Sequence, residues 1–193
     1  GIKPKAQPLK LHEGFENTPP GAKPTIAKMS KKLGKEIVVT KDQASVGERS
    51  LQFTDGPGVE PAFEPHFYYF TNVQTGVTRV SFDVRAEPEY RLTHEWRDSS
   101  SPYRTGPKLD FENGAVRASG RKLADFPANT WVHVEVRAKI DGDATWSAIF
   151  TPRGGQPRRA GPKANPMPGR PGTMRSHTRA PSGCISASRR YRW

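Results

Sequence analysis

One cysteine, Cys184, stands in a chain of 193 residues, so no disulfide can form within it and its body holds no Cys-based metal site. No apolar run is long enough to cross a bilayer, which excludes a membrane-spanning helix. No stretch carries a convincing helical pattern. Acidic residues are missing from the last part of the chain. Residues 1–152 carry 21 basic and 19 acidic side chains, whereas residues 153–193 carry ten basic and no acidic ones, so nearly all of the formal net charge of +12 sits at the end. That distribution argues against a nucleic-acid surface on the body. A signal peptide is also missing, and the first residue is Gly1 rather than Met, as in a piece cut or processed from something longer.

What is present is punctuation and alternation. The 19 prolines and 18 glycines call for many turns, and only 33% of residues are hydrophobic, so the core is modest. Between the turns, short segments alternate with a period of two. In GVTRVSFDVRAE, Val80, Phe82 and Val84 point one way, and Arg79, Ser81, Asp83 and Arg85 the other. In TWVHVEVRAKI, Val132, Val134, Val136, Ala138 and Ile140 share a side. EIVVT, SLQFTD, HFYYF, YRLTHEWRD, YRTGPKLDFE, AVRAS and ATWSAIFTP read as further strands, and LHEGFEN as a short first one. Asn113-Gly114 marks a tight hairpin, and residues 123–129 read as a loop. The pattern predicts an all-β protein, an antiparallel two-sheet β-sandwich.

Three regions follow. Residues 1–10 form a Pro/Lys-rich linker, and residues 11–160 the sandwich. Residues 161–193 form a basic tail with neither alternation nor helical period. Two readings of the tail compete. It is either a disordered polyanion-binding arm, in which Tyr191 and Trp193 stand among arginines, or out-of-frame translation of GC-rich DNA in place of the last strands. The second is favoured by the sharp break in composition.

The series GERSLQFTDGPG, EPHFYYF, GVTRVSFDVRAE, HEWRD, YRTGPKL and TWVHVEV, followed by the DGDATWSAIF hairpin, resembles a concanavalin A-like, laminin-G-like jelly-roll module. Such modules occur in large secreted or surface proteins of environmental, planctomycete-like bacteria. The resemblance implies a binding module, often for carbohydrate, located outside the cell or at its surface beside other domains of the parent chain. It also implies one or two final aromatic-bearing strands that this sequence lacks.

His94, Glu95, Trp96, Arg97 and Asp98 are the sharpest candidate ligand site, with Tyr103, Arg79 and Arg85 beside them. An indole can stack on a sugar ring while carboxylate and guanidinium groups bond its hydroxyls. The competing reading is structural, with His94 and Trp96 filling the core and Glu95 and Arg97 pairing across strands. Neighbours on a strand face opposite ways, so Trp96 and Arg97 share a ligand only if a bulge intervenes. For catalysis, retaining glycanases of this fold place two carboxylates about 5–5.5 Å apart, and the glucanase branch sets them on one strand as Glu-x-Asp-x-x-Glu. That run is absent, so the sequence predicts a non-catalytic module for a glycan or cell-surface polymer. The five histidines show no ligand spacing. No cofactor is expected; calcium has only Asp141 and Asp143, which a hairpin turn also explains.

Overall fold

The computed structural model describes residues 7–29, 36–55, 64–89, 91–140 and 145–161, together with the backbone of residues 175–179 and 183–188. The strands are β1 (Lys28–Met29), β2 (Ile37–Thr40), β3 (Ser50–Asp55), β4 (His66–Phe70), β5 (Val77–Ala86), β6 (Arg91–Arg97) and β7 (Thr105–Glu112). They continue with β8 (Ala115–Ala118), β9 (Arg121–Asp125), β10 (Val132–Lys139), β11 (Trp146–Pro152), β12 (Arg158–Ala160), β13 (Arg175–Arg179) and β14 (Gly183–Ser188). One sheet runs β1-β4-β13-β6-β7-β8-β9 and the other β12-β11-β10-β5-β14-β3-β2, every pairing antiparallel. We call them the first and the second sheet. The all-β antiparallel sandwich expected from the alternation is the fold.

The core lies between the sheets, where the apolar set of each strand must leave water. Phe67, Tyr69, Leu92, Trp96, Leu109 and Phe111 come from the first sheet. Leu51, Phe53, Val80, Phe82, Val84 and the valines of β10 come from the second. Each such side chain, fully buried, contributes about 1.5–3 kcal/mol. The Asn113-Gly114 turn closes the β7–β8 hairpin with φ of 49° and 71°, the left-handed pair that a two-residue type I′ turn requires.

Three local expectations change. Residues 11–17 form no strand; Leu11 and Phe15 plug the core from an irregular segment. Residues 121–125 form β9 rather than part of a loop, because the edge of β8 offers its backbone to any extended partner. In the same way β13 and β14 arise in the segment expected to carry no secondary structure. Their backbones fill the slots between β4 and β6 and between β3 and β5. Ladder hydrogen bonds are made by the main chain, so a side-chain pattern does not reveal them. The remainder of residues 162–193, and Asp141 and Asp143, lie outside the described residues.

Candidate functional site

Strand β6 sorts the candidates His94 to Asp98 by its pleat. His94 and Trp96 point inward and are buried, at 0% and 1% exposure. The Trp96 indole N–H donates to His94 Nε2 at 3.1 Å, and the His94 ring packs on Phe82 with centroids 4.7 Å apart. Neither ring offers a face to a sugar, so the ligand role expected of these two is corrected to core packing. The β6–β7 register shifts between Glu95 and Arg97, but the irregularity does not bring Trp96 out.

Glu95 and Arg97 face outward and bond each other, and the Arg97 guanidinium lies 4.0 Å from the centre of the Tyr103 ring. Asp98 is committed to a loop. It accepts the Ser100 N–H at 3.1 Å, the Ser100 hydroxyl at 2.6 Å, the Arg104 N–H at 2.8 Å and Arg104 Nε–H at 2.6 Å. Burial pushes its carboxyl up, but these bonds from Arg104 and Ser100 together outweigh burial and hold it at about 2. Such a carboxylate holds a turn.

Arg79 and Arg85 do not join that group. They stand on β5, on the outward face of the second sheet, across the sandwich. The antiparallel register of β5 and β10 sets His133 opposite Asp83, Glu135 opposite Ser81 and Arg137 opposite Arg79. His133 Nδ1 lies 2.5 Å from Asp83 Oδ1, and its Nε2 lies 3.8 Å from Glu135 Oε1. The other Glu135 oxygen accepts from Arg79. Arg85 donates to the Asn129 carbonyl at 3.2 Å and to its side-chain oxygen at 3.0 Å, which pins the loop before β10.

The chemistry of this row follows from burial. The Asp83 side chain is 11% exposed, and a carboxylate that leaves water needs a partner. An ionised carboxylate only accepts, so His133 Nδ1 carries the hydrogen of that bond, and in the neutral ring Nε2 is the nitrogen with the lone pair. The ring itself is about one-third exposed. A positioned imidazole with an open, basic nitrogen is the usual general base of enzyme sites. A second carboxylate–imidazole pair, Glu64–His66, opens β4 at 3.0 Å, but there Glu64 also accepts the His66 backbone N–H, the arrangement of a local cap.

Both strands of the row were legible, as were the outward positions of Asp83, His133 and Glu135. Their meeting across fifty residues was not, because alternation fixes a face but not a neighbour. Among the described residues no group of three His, Cys, Asp or Glu side chains has the geometry of a metal site.

No protein-family profile matches the sequence, and no curated protein sequence does. Solved structures do match its fold. An endo-β-1,4-glucuronan lyase from the fungus Trichoderma reesei superposes with a TM-score of 0.63 at 10% identity, over 94% of each chain. A PL-14 alginate lyase from Aplysia kurodai gives 0.55 at 12% identity, over 84% of this chain and 90% of that one. A carbohydrate esterase from the Shiga toxin-encoding bacteriophage phi24B gives 0.50 at 12%, over 86% and 90%. At such identities the likeness is one of fold. It nevertheless overturns the expectation of a non-catalytic module. The absent Glu-x-Asp-x-x-Glu run bears only on glycoside hydrolysis by paired carboxylates, and eliminations and ester cleavages on this fold need no such pair.

Proposed function

We propose that this chain is a carbohydrate-processing enzyme, a polysaccharide lyase that cleaves a uronate-containing polymer by β-elimination on the outward face of the second sheet. The observation that carries the reading is the Asp83–His133 pair, whose imidazole is about one-third exposed on a face rich in arginine. Glucuronan and alginate, the polymers named for two proteins of the same fold, are both polyuronates. A polymer too large to enter a cell is met outside it or at its surface, where we place the enzyme.

The residues divide the work as follows. A uronate carboxylate that meets Arg79 has its charge offset, which acidifies the hydrogen on the adjoining C5. His133 Nε2 removes that hydrogen as a proton. The C–H electron pair forms the C4=C5 double bond, the C4–O bond breaks, and the departing oxygen takes a proton from the imidazolium. Asp83 holds the ring in the required tautomer throughout, and the charge gained by the ring lies between Asp83 and Glu135. Cleavage therefore leaves an unsaturated sugar at the new non-reducing end.

The test is to incubate the folded chain with glucuronan, alginate and a neutral β-glucan and to follow the ultraviolet absorbance of the unsaturated product. We expect product from a polyuronate and none from the glucan. Release of acetate or another acyl group without unsaturated ends would replace the lyase reading with an esterase.

A further inference from the structure

Beyond the reacting centre, the same face holds an open groove of about 370 Å³ lined by Val77, Arg137, Lys139, Thr145, Trp146 and Ser147. Arg137 lies four residues from His133 on β10, about 13 Å away at the strand rise of about 3.3 Å per residue. Two physical features set this groove apart. First, Arg79 and Arg137 are direct cross-strand partners, and like charges placed opposite one another destabilise a sheet. Arg79 is relieved by Glu135. Arg137 and Lys139 are exposed and make no ion pair with any described residue. Second, the outward positions of β5 and β10 carry Arg79, Arg85, Arg137 and Lys139 against the carboxylates Asp83 and Glu135 alone, and both carboxylates lie toward the His133 end. The cationic excess is therefore concentrated in the groove.

We propose that this groove is an anion subsite, in which Arg137 and Lys139 take the carboxylate of a second uronate unit on the same polymer chain that His133 attacks. The inference rests on the lyase reading and deepens it. The enzyme requires a run of acidic sugars rather than a single one. Opposite charge attracts the polymer over a distance, and the groove fixes which segment lies over His133.

The experiment measures binding apart from turnover. A His133→Ala chain is titrated by calorimetry with a glucuronate oligosaccharide and with a neutral β-glucan oligosaccharide of equal length, with and without the pair Arg137→Gln and Lys139→Gln. Both side chains are exposed and Arg137 faces a like charge, so the thermal midpoint should not fall, which serves as the folding control. We expect the pair to weaken uronate binding at least tenfold and to flatten its decline with salt, leaving any glucan binding as it was. Equal affinity and equal salt dependence in the two forms overturns the subsite, and so does no uronate binding by the His133→Ala chain. If uronate binding depends on Arg137 and Lys139 while the unaltered chain forms no unsaturated product, the subsite stands and the elimination falls.

Discussion

The outward faces of the two sheets are built from the same kinds of residue and put them to different uses. On the first sheet charge is spent locally. Glu95 holds Arg97, Glu112 holds Arg91, Asp110 meets Lys108, and Asp98 anchors the loop to Arg104. On the second sheet charge is organised around one imidazole and left in excess beside it, with Arg137 and Lys139 unpaired among the described residues. Two histidines show the contrast in miniature. His94 is sealed in the core with its Nε2 occupied by Trp96, and His133 is oriented by a carboxylate with its ring about one-third exposed. Here the charged and aromatic residues close together in sequence form a structural strand, and the Asp83–His133 pair is assembled from residues fifty apart.

Breaking the second face should give the largest effect. His133→Ala removes the proposed general base, and we expect the elimination rate to fall by about 10²–10⁴, with the thermal midpoint little changed. Asp83→Asn keeps the ring but lets it adopt the wrong tautomer, and a fall of at least about tenfold in kcat is expected.

His94→Ala tests the converse. It opens a cavity against Phe82 and strands the Trp96 N–H, for a loss of about 2–4 kcal/mol in denaturant unfolding. Its rate per folded molecule should stay level. A rate that collapsed with His94 and survived without His133 would reverse the assignment of the two faces.

Asp98 sharpens the comparison by pH. Its carboxyl is held at about 2, below its ordinary value of 3.8, so the folded state prefers the ionised form. The stabilisation is complete above that ordinary value and is lost as the pH falls through about 2. Asp98→Asn should therefore cost about 1–2 kcal/mol at neutral pH, with the difference from the unaltered chain vanishing in urea titrations near pH 2. Activity should not respond. Smallest of all is Tyr103→Ala, which removes a half-exposed ring from Arg97 and should shift stability by about 0.5–1 kcal/mol.

Against this contrast, what the sequence discloses is clear in physical terms. Period-two runs such as Val80-Phe82-Val84 and Val132-Val134-Val136 state which side is dry, and the sandwich follows from them. They also place Arg79, Asp83, His133 and Glu135 on wet sides. What they withhold is strand order. Hydrogen bonds between main chains are blind to side chains, so nothing in SFDVRAE or WVHVEVR names the other as its neighbour. The HEWRD stretch misleads for a related reason. Adjacent polar and aromatic letters look like one site, yet the pleat sends His94 and Trp96 into the core and Glu95 and Arg97 out of it. The tail hides β13 and β14 because the main-chain pairing that places them leaves no mark in the sequence.

The register of β5 on β10 carries a consequence for how this protein tolerates insertions and deletions. Eight consecutive cross-strand partners lock the two strands. One residue added within either strand would turn its beyond-the-insertion half over, sending Asp83 or His133 inward and a valine or Phe82 outward. The apolar core therefore polices the reacting groups: a shift that misplaces the imidazole also unseats the interior and is rejected as a folding defect. Between the strands, by contrast, the chain from Glu87 to Trp131 can grow or shrink at its turns without disturbing the pair. Variation in length should be confined to those turns, while the spacing within SFDV and HVEVR stays fixed.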